Sequence, residues 1–133
     1  METHIEFTTV PIVVPSAPAR TAETGAQVEF HGIVRSLEQD RTITGLLYEA
    51  HVPMAERHIR RILDQIYATW PCHAVIFIHR LGWVPVGEAS LYIRVHARHR
   101  EPAFRFSMDL IDLLKKDVPI WKRPDPPPQP PVL

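Results

Sequence analysis

Four basic side chains surround a proline and a tryptophan near the end of the chain: Lys115, Lys116, Lys122 and Arg123 around Pro119 and Trp121. Pro119 ends any helix that reaches it, because it lacks a backbone N–H and its ring clashes with the preceding turn. A lysine beside other cations and apolar surface has a lowered pKa and can serve as a base or a nucleophile. Lysines in the last turn of a helix are also stabilised by the helix dipole, by about 0.3 to 1 kcal/mol, without any catalytic role. Both interpretations stay open on these residues alone.

A second basic group, Arg98-His99-Arg100, follows an apolar strand pattern and precedes a helical pattern. The first backbone N–H groups of a helix and its dipole attract anions, so a phosphate would fit at this position. Cations are slightly unfavourable at a helix start unless an anion is bound there. The triplet is therefore either solvated surface or part of an anion site, and its residues do not decide between the two.

Other chemistries lack a complete set of residues. The eight histidines are scattered, and no carboxylate or cysteine joins His96 and His99 at a metal-ligand spacing, so we predict no metal site and no cofactor. The sequence has no glycine-rich phosphate loop and no serine, histidine and aspartate set typical of hydrolases. The single cysteine, Cys72, excludes a disulfide within the chain, and its apolar context does not activate a thiol.

Length and composition predict one soluble domain. The 133 residues are 45% hydrophobic, which is enough for one core, and no apolar run is long enough to cross a bilayer. Because no signal-peptide pattern opens the chain, we expect a cytoplasmic protein that does not contact membranes. The net charge is zero, which argues against bulk nucleic-acid binding. Basic residues exceed acidic ones after position 93, and such a local cluster suits a small anion or an acidic partner tail.

Hydrophobic periodicity predicts an α+β domain with a mainly antiparallel sheet and two main helices. Alternating patterns indicate four strands, of which the first two are expected to form an antiparallel hairpin: 26–35, 43–50, 74–81 and 89–97. In the last strand, the even positions are expected to face solvent, namely Ser90, Tyr92, Arg94 and His96. We predict a single domain over residues 1–123 and a proline-rich, extended tail over 124–133.

Two segments have the helical spacing of apolar residues. The first begins at Pro53 and ends before Pro71, and a proline fits the first turn of a helix. The second begins at Pro102 and ends at Pro119, so the first lysine pair lies in its last turn. Its buried face is predicted to consist of Phe104, Met108, Ile111 and Leu114.

Six motifs occur in the order and spacing found in one known family. They are Phe30-His31-Gly32-Ile33-Val34-Arg35, Tyr48-Glu49-Ala50 with Pro53-Met54-Ala55, His79-Arg80-Leu81-Gly82, Val86-Gly87-Glu88-Ala89-Ser90, His99-Arg100 with Ala103-Phe104, and Lys115 with Val118-Pro119-Ile120-Trp121-Lys122. Each motif alone is weak, whereas six in order are specific. Over about residues 25–123, the chain therefore resembles the large, catalytic subunit of molybdopterin synthase.

This resemblance implies a fold, partners and a reaction. The implied fold is an α+β domain of the α/β-hammerhead type, which forms a homodimer with one small ubiquitin-like sulfur-carrier subunit at each end of a heterotetramer. The implied activity is sulfur transfer from the thiocarboxylate at the carrier's C-terminal Gly-Gly to cyclic pyranopterin monophosphate. The product is the dithiolene of molybdopterin, made in molybdenum cofactor biosynthesis, and the step needs no metal.

Carried over residue by residue, the resemblance also implies the site. Lys115 would be the essential catalytic lysine beside the thiocarboxylate, and Lys122 would line the same pocket. Arg35, His99 and Arg100 would hold the anionic pterin. The residues leave open whether Lys115 transfers a proton or stabilises developing negative charge.

Two departures from the family pattern and one alternative function accompany the resemblance. The family commonly carries an acidic residue and another arginine after the Trp-Lys motif, whereas here Arg123 leads directly into prolines. The segment before residue 25 is also short and rich in proline. The alternative is a non-catalytic dimeric module that binds an acidic peptide tail or RNA through its basic groove. The balanced charge and the lack of an exposed aromatic ladder weigh against RNA.

Overall fold

The computed structural model describes residues 1–16 and 21–125. These residues form nine strands and two helices, in the order β1 (Glu2–Thr8), β2 (Ala26–Ile33), β3 (Leu37–Glu38), β4 (Arg41–Thr42), β5 (Gly45–Ala50), α1 (Val52–Thr69), β6 (Ala74–Arg80), β7 (Gly82–Pro85), β8 (Ala89–Ala97), α2 (Arg100–Asp117) and β9 (Ile120–Asp125). The main sheet has the order β1-β6-β8-β2, and only β1 and β6 are parallel in it. The α+β class with a mainly antiparallel sheet is confirmed. Neither helix of the described chain is long and apolar enough to cross a membrane.

The core joins the two helices to one face of the main sheet. Burial of each larger apolar side chain stabilises the fold by about 1.5 to 3 kcal/mol. The principal members are Ala55, Ile59, Ile62, Leu63 and Ile66 of α1, Ala103, Phe106, Leu110 and Leu114 of α2, and Val75, Phe77, Leu91, Ile93 and Val95 of the sheet. This packing fixes α2 against the sheet and thereby fixes the position of its last turn.

The predicted buried face of α2 is right in its second half and wrong in its first. Leu114 is buried and Ile111 is partly buried against the core, but Phe104 and Met108 are 57% and 58% exposed. The other buried side chains of the helix are Ala103, Phe106, Ser107 and Leu110. Apolar residues of this helix occupy two adjacent stripes at three- and four-residue spacing, so the period alone does not select one of them. The exposed stripe leaves apolar surface near the start of α2.

The prediction that even positions of β8 face solvent is also wrong, because β8 is buried on both faces. Tyr92 donates a hydrogen bond to Oε1 of Glu29 at 2.6 Å, and Nε of Arg94 lies 3.2 Å from the same oxygen. A terminal nitrogen of Arg94 donates to the carbonyl of Pro15 at 2.7 Å. Polar and charged side chains are tolerated inside a protein when they are paired in this way. Alternation along one strand does not show that another segment will cover its polar face.

The predicted hairpin between 26–35 and 43–50 does not form. β2 pairs with β8, while β5 pairs with β7 and β9 in a second, three-stranded sheet. The residues between them make their own small hairpin, β3–β4, whose turn residues Gln39 and Asp40 have φ values of 50° and 60°. Left-handed backbone at both positions is typical of a tight two-residue hairpin turn. Each of the two longer strands is therefore free to pair with a distant partner.

β9 carries the chain back alongside β5, with Lys122 opposite Tyr48 in the register. This strand runs to Asp125, so the expected start of the tail at 124 lies inside it. The rest of the predicted tail, 126–133, lies outside the described residues. The start of β9 follows the last turn of α2 directly, and pairing with β5 carries the strand away from it, to Asp125 opposite Gly45.

Candidate active site

A cavity of about 580 Å³ opens where the C-terminal end of α2 meets the two sheets. Its lining comes from β2, β3, β5, β6, β8, α2 and β9, so it exists only when both sheets are assembled. Arg35, Lys115 and Lys122 line it. The structure thus brings together three of the five residues that the sequence indicated, in a volume that suits a small ligand.

The bend after α2 places the two lysines in this cavity. The N–H of Val118 donates to the carbonyl of Leu114 at 3.4 Å, which closes the last helical turn. Pro119 then turns the chain into β9. Lys115 projects from the end of the helix and Lys122 from the returning strand, and both reach the same space.

Neighbouring cations of the same stretch do not line the cavity. Lys116 is exposed, and Arg123 lies 2.6 Å from Glu49 in an ion pair on the surface. Neither residue contributes to the cavity lining. Geometry therefore distinguishes two of the four clustered cations from the other two.

Glu38 is a cavity residue that sequence reasoning missed. Its carboxylate lies 3.1 Å from Nζ of Lys122, and its side chain is 16% exposed. The segment from which it comes is polar and without periodicity, so no sequence signal shows which acid turns inward. Among the described residues, neither Lys115 nor Arg35 makes an ion pair. The cavity therefore holds two cations ready for an anion and a third that is already paired.

His79 is a second cavity residue that received no role from the sequence. It lies at the end of β6 and is 4% exposed. Its Nδ1 donates to the carbonyl oxygen of Arg80 at 2.8 Å, and the Tyr48 ring meets it edge-on with 5.1 Å between centroids. Burial lowers the pKa of His79 to about 4, so its imidazole is neutral near neutral pH. The resemblance included this histidine in a motif, and that was the only available signal.

His99 and Arg100 lie away from this cavity. His99 occupies the N-cap position of α2 and Arg100 is the first residue of the helix, whereas Lys115 is in its last turn. At 1.5 Å per residue, Arg100 and Lys115 are separated by about 22 Å along the helix axis. Both N-terminal residues are exposed. One protomer therefore does not bring all five predicted residues together.

The arrangement can bind an anion and stabilise negative charge that develops beside it. Ammonium and guanidinium groups only donate hydrogen bonds, and fixed cations lower the energy of a developing oxyanion. In residues 1–16 and 21–125, no three His, Cys, Asp or Glu side chains are arranged to hold a metal ion. Cys72 lies outside the cavity lining, and burial raises the pKa of its thiol to about 12. It is therefore not a thiolate nucleophile.

Known proteins are similar in sequence over most of this chain. The family model described as MoaE protein matches residues 7–117. The chain is 43% identical to the molybdopterin synthase catalytic subunit of Arabidopsis thaliana over 101 residues, which are 76% of this chain and 51% of that protein. This chain spans about half the length of that relative and of the molybdopterin synthase catalytic subunits of Homo sapiens and Rattus norvegicus, which it also matches.

Solved structures share the fold. The crystal structure of molybdopterin synthase from Staphylococcus aureus matches with a TM-score of 0.83 at 32% identity, over 90% of this chain and 89% of that chain. A protein–protein complex of subunits 1 and 2 of molybdopterin-converting factor from Helicobacter pylori matches with a TM-score of 0.62 at 25% identity, over 77% of this chain and 66% of that chain. On the family model, the sequence relatives and the shared fold, the chain belongs to the MoaE protein family.

Proposed function

We propose that this protein is the catalytic subunit of molybdopterin synthase, a sulfurtransferase of molybdenum cofactor biosynthesis. It moves sulfur from the C-terminal Gly-Gly thiocarboxylate of a small ubiquitin-like carrier subunit to cyclic pyranopterin monophosphate. The product carries the dithiolene of molybdopterin. The observation that carries the proposal is one cavity lined by Arg35, Lys115 and Lys122, in a chain that belongs to this family.

The cations of the cavity match the charges of both reactants, because a thiocarboxylate and a phosphate are anions that form charge-assisted hydrogen bonds. A dithiolene needs two transfers, one from each of two thiocarboxylates. In each transfer the sulfur forms a bond to a pterin side-chain carbon, and a carbon–oxygen bond of that carbon breaks, so that the oxygen leaves as water or stays on the phosphate. Water then attacks the carbonyl of the resulting thioester, whose carbon–sulfur bond breaks, which leaves the sulfur on the pterin and a carboxylate on the carrier. Negative charge passes through the carbonyl oxygen, and the ammonium group of Lys115 stabilises it or exchanges a proton there. Lys122 and Arg35 hold the anionic reactants beside it.

The small carrier subunit is the proposed macromolecular partner. A Gly-Gly terminus has no bulky side chains, so it can enter a cavity of about 580 Å³ that the body of a folded domain cannot enter. The complex of two subunits in Helicobacter pylori supports a partner of this kind. The cytoplasmic location stays a prediction from the sequence.

We also propose a homodimer in which His99 and Arg100 of one copy serve the cavity of the other. The resemblance assigns these two residues to the same basic pocket as the lysines, although about 22 Å of helix separates Arg100 from Lys115 in one copy. A second copy removes this conflict if the start of its α2 lies at the cavity. Phe104 and Met108, both more than half exposed, give that end of α2 the apolar surface typical of protein interfaces.

Reconstitution tests the proposed function. The purified protein, mixed with a thiocarboxylated carrier and cyclic pyranopterin monophosphate, is expected to yield molybdopterin, measured by chromatography and mass spectrometry. Omitting the carrier, or supplying its carboxylate form, provides the control and is expected to give no product. Binding of the carrier without any product would contradict the proposal and favour the non-catalytic module.

A further inference from the structure

We infer that His79 is a substrate-binding residue, whose Nε2 accepts a hydrogen bond from an N–H or O–H group of the heterocycle bound in the cavity. This inference rests on the proposed function, because it assigns a role to a further residue of the same site. His79 lies on β6, at a distance in sequence from every residue that was expected to bind the substrate. His31 lines the cavity as well, but among the described residues of the wall His79 is the imidazole whose tautomer is set by a hydrogen bond to the backbone.

The tautomer of His79 follows from its contact with the backbone. Nδ1 lies 2.8 Å from the carbonyl oxygen of Arg80. A carbonyl oxygen only accepts hydrogen bonds, so Nδ1 carries the hydrogen. In a neutral imidazole the other nitrogen then has a free lone pair. Nε2 is therefore an acceptor.

The lone pair of Nε2 is open to the cavity. His79 belongs to the cavity lining, and within the described residues its Nε2 has no hydrogen-bond partner. This atom is also not fully enclosed, so part of its surface is accessible. The ring as a whole is 4% exposed. The ring is therefore almost closed to solvent, and Nε2 is one of its accessible atoms.

Aromatic neighbours fix the direction of this acceptor. The Tyr48 ring meets His79 edge-on at 5.1 Å, Phe77 lies at 6.3 Å, and Phe7 stacks at 6.4 Å between centroids. Rings packed at these distances leave an imidazole little freedom to turn. Together with the bond to Arg80, they hold Nε2 in one orientation before any ligand binds.

The charged groups of the cavity show which part of a ligand His79 would contact. Lys115, Lys122 and Arg35 only donate hydrogen bonds, so they suit phosphate and thiocarboxylate oxygens. The carboxylate of Glu38 is held by Lys122. A pterin also presents N–H groups, which need an acceptor, and a buried donor without one costs binding affinity. The cations would hold the anionic groups while His79 orients the heterocycle.

Two substitutions separate binding from a structural role. His79→Asn keeps an amide near the position of Nδ1, which can donate to the Arg80 carbonyl, but removes the acceptor at Nε2. His79→Gln places an amide oxygen near the position of Nε2 and loses the Nδ1 donor. We expect His79→Asn to raise the KM for cyclic pyranopterin monophosphate by about tenfold, with a smaller change in kcat. His79→Gln is expected to raise it by only about threefold while lowering the Tm more.

Calorimetric binding of cyclic pyranopterin monophosphate, without the carrier, completes the test. An affinity reduced about tenfold in His79→Asn and largely rescued in His79→Gln is the expected result. A wild-type affinity in His79→Asn would overturn the inference, and so would parallel losses of affinity and Tm in the two variants. In both of these cases wild-type turnover would leave the proposed function standing. If the wild-type protein neither binds the pterin nor makes molybdopterin, the proposed function itself fails.

Discussion

The two ends of α2 carry cations in opposite electrostatic settings. At the C-terminal end, Lys115 and Lys116 lie beside free backbone carbonyls, which stabilise positive charge; at the N-terminal end, Arg100 lies beside free N–H groups, which oppose it. The lysines are thus compatible with the stability of the helix alone. The N-terminal arginine has no such explanation unless an anion or a partner covers it.

Within one protomer, the position of each helix end relative to the cavity does not follow these electrostatic settings. The C-terminal end lines the cavity of the site and the N-terminal end does not, although the charges at the C-terminal end are the ones that need no ligand. Lys115 and Lys116 share the dipole but not the cavity, so a favourable dipole does not identify a site residue. A site residue is identified instead because it lines the same cavity as residues from other elements, here Lys122 and Arg35.

The largest effect is expected when Lys115 is compared with Lys116. Lys115→Ala is expected to lower kcat by about 10²- to 10³-fold, as when one group that stabilises a developing oxyanion is removed. Lys116→Ala removes the same charge from the same helix end without touching the cavity and is expected to stay close to wild type. Single-turnover product formation measures both. Equal losses would mean that the helix dipole, and not the cavity, explains these lysines.

A second prediction concerns His79, the buried imidazole in the cavity wall. Burial lowers the pKa of His79 from 6.5 to about 4, so the folded protein binds fewer protons than the unfolded chain between these values. The free energy of unfolding is therefore highest above pH 6.5. It falls by about 3 kcal/mol as the pH falls to about 4, because the unfolded chain takes up a proton at His79 that the folded protein does not. Urea unfolding across this range measures it. Wild type is expected to lose more stability than His79→Gln, and parallel losses would contradict the assignment.

A third prediction tests whether the two ends of α2 cooperate across a dimer. Arg100→Ala is expected to lower turnover by about tenfold through loss of a charge-assisted hydrogen bond. When Lys115→Ala and Arg100→Ala subunits are co-expressed, half of the dimers are mixed, and each mixed dimer has one intact site. About a quarter of wild-type activity should then return. If the mixture is no more active than the two variants apart, the N-terminal end of α2 does not serve a neighbouring cavity.

The smallest effect is expected at the paired cation. Glu38→Gln releases Lys122 for an anionic ligand and is expected to lower the KM for cyclic pyranopterin monophosphate by about two- to fivefold. Because Lys122 is half exposed, stability is expected to change by less than about 1 kcal/mol. Glu49→Gln, which releases Arg123 on the surface, is the matched control. A raised KM in Glu38→Gln would show instead that the carboxylate positions Lys122.

The elements with one clear period were predictable from the sequence. The first helix and the strands at 74–80 and 89–97 appear within a residue or two of their expected positions. The partner of β2 was not predictable, because strand pairing is decided by packing between distant segments. The prediction that Phe104 and Met108 are buried in α2 failed for a related reason. Two apolar stripes satisfied the same helical period, and only the sheet selects between them.

The candidate site was predictable to the extent that charge and a proline bend mark it. Lys115 and Lys122 followed from four cations around Pro119 together with the resemblance, whereas Arg35 followed from the resemblance alone. Glu38 and His79 were missed because the one lies in an unpatterned hairpin and the other in an apolar strand. Their roles depend on burial and on neighbours in space, which local sequence does not contain.

The most direct test of the proposed chemistry follows the C-terminus of the carrier during a single turnover, by mass spectrometry of the intact carrier. We predict that the wild-type protein replaces the thiocarboxylate sulfur by oxygen at the rate at which sulfur appears on the pterin, and that Lys115→Ala does so far more slowly. A wild-type protein that binds both the carrier and cyclic pyranopterin monophosphate, yet leaves the thiocarboxylate intact, would contradict sulfur transfer at this cavity.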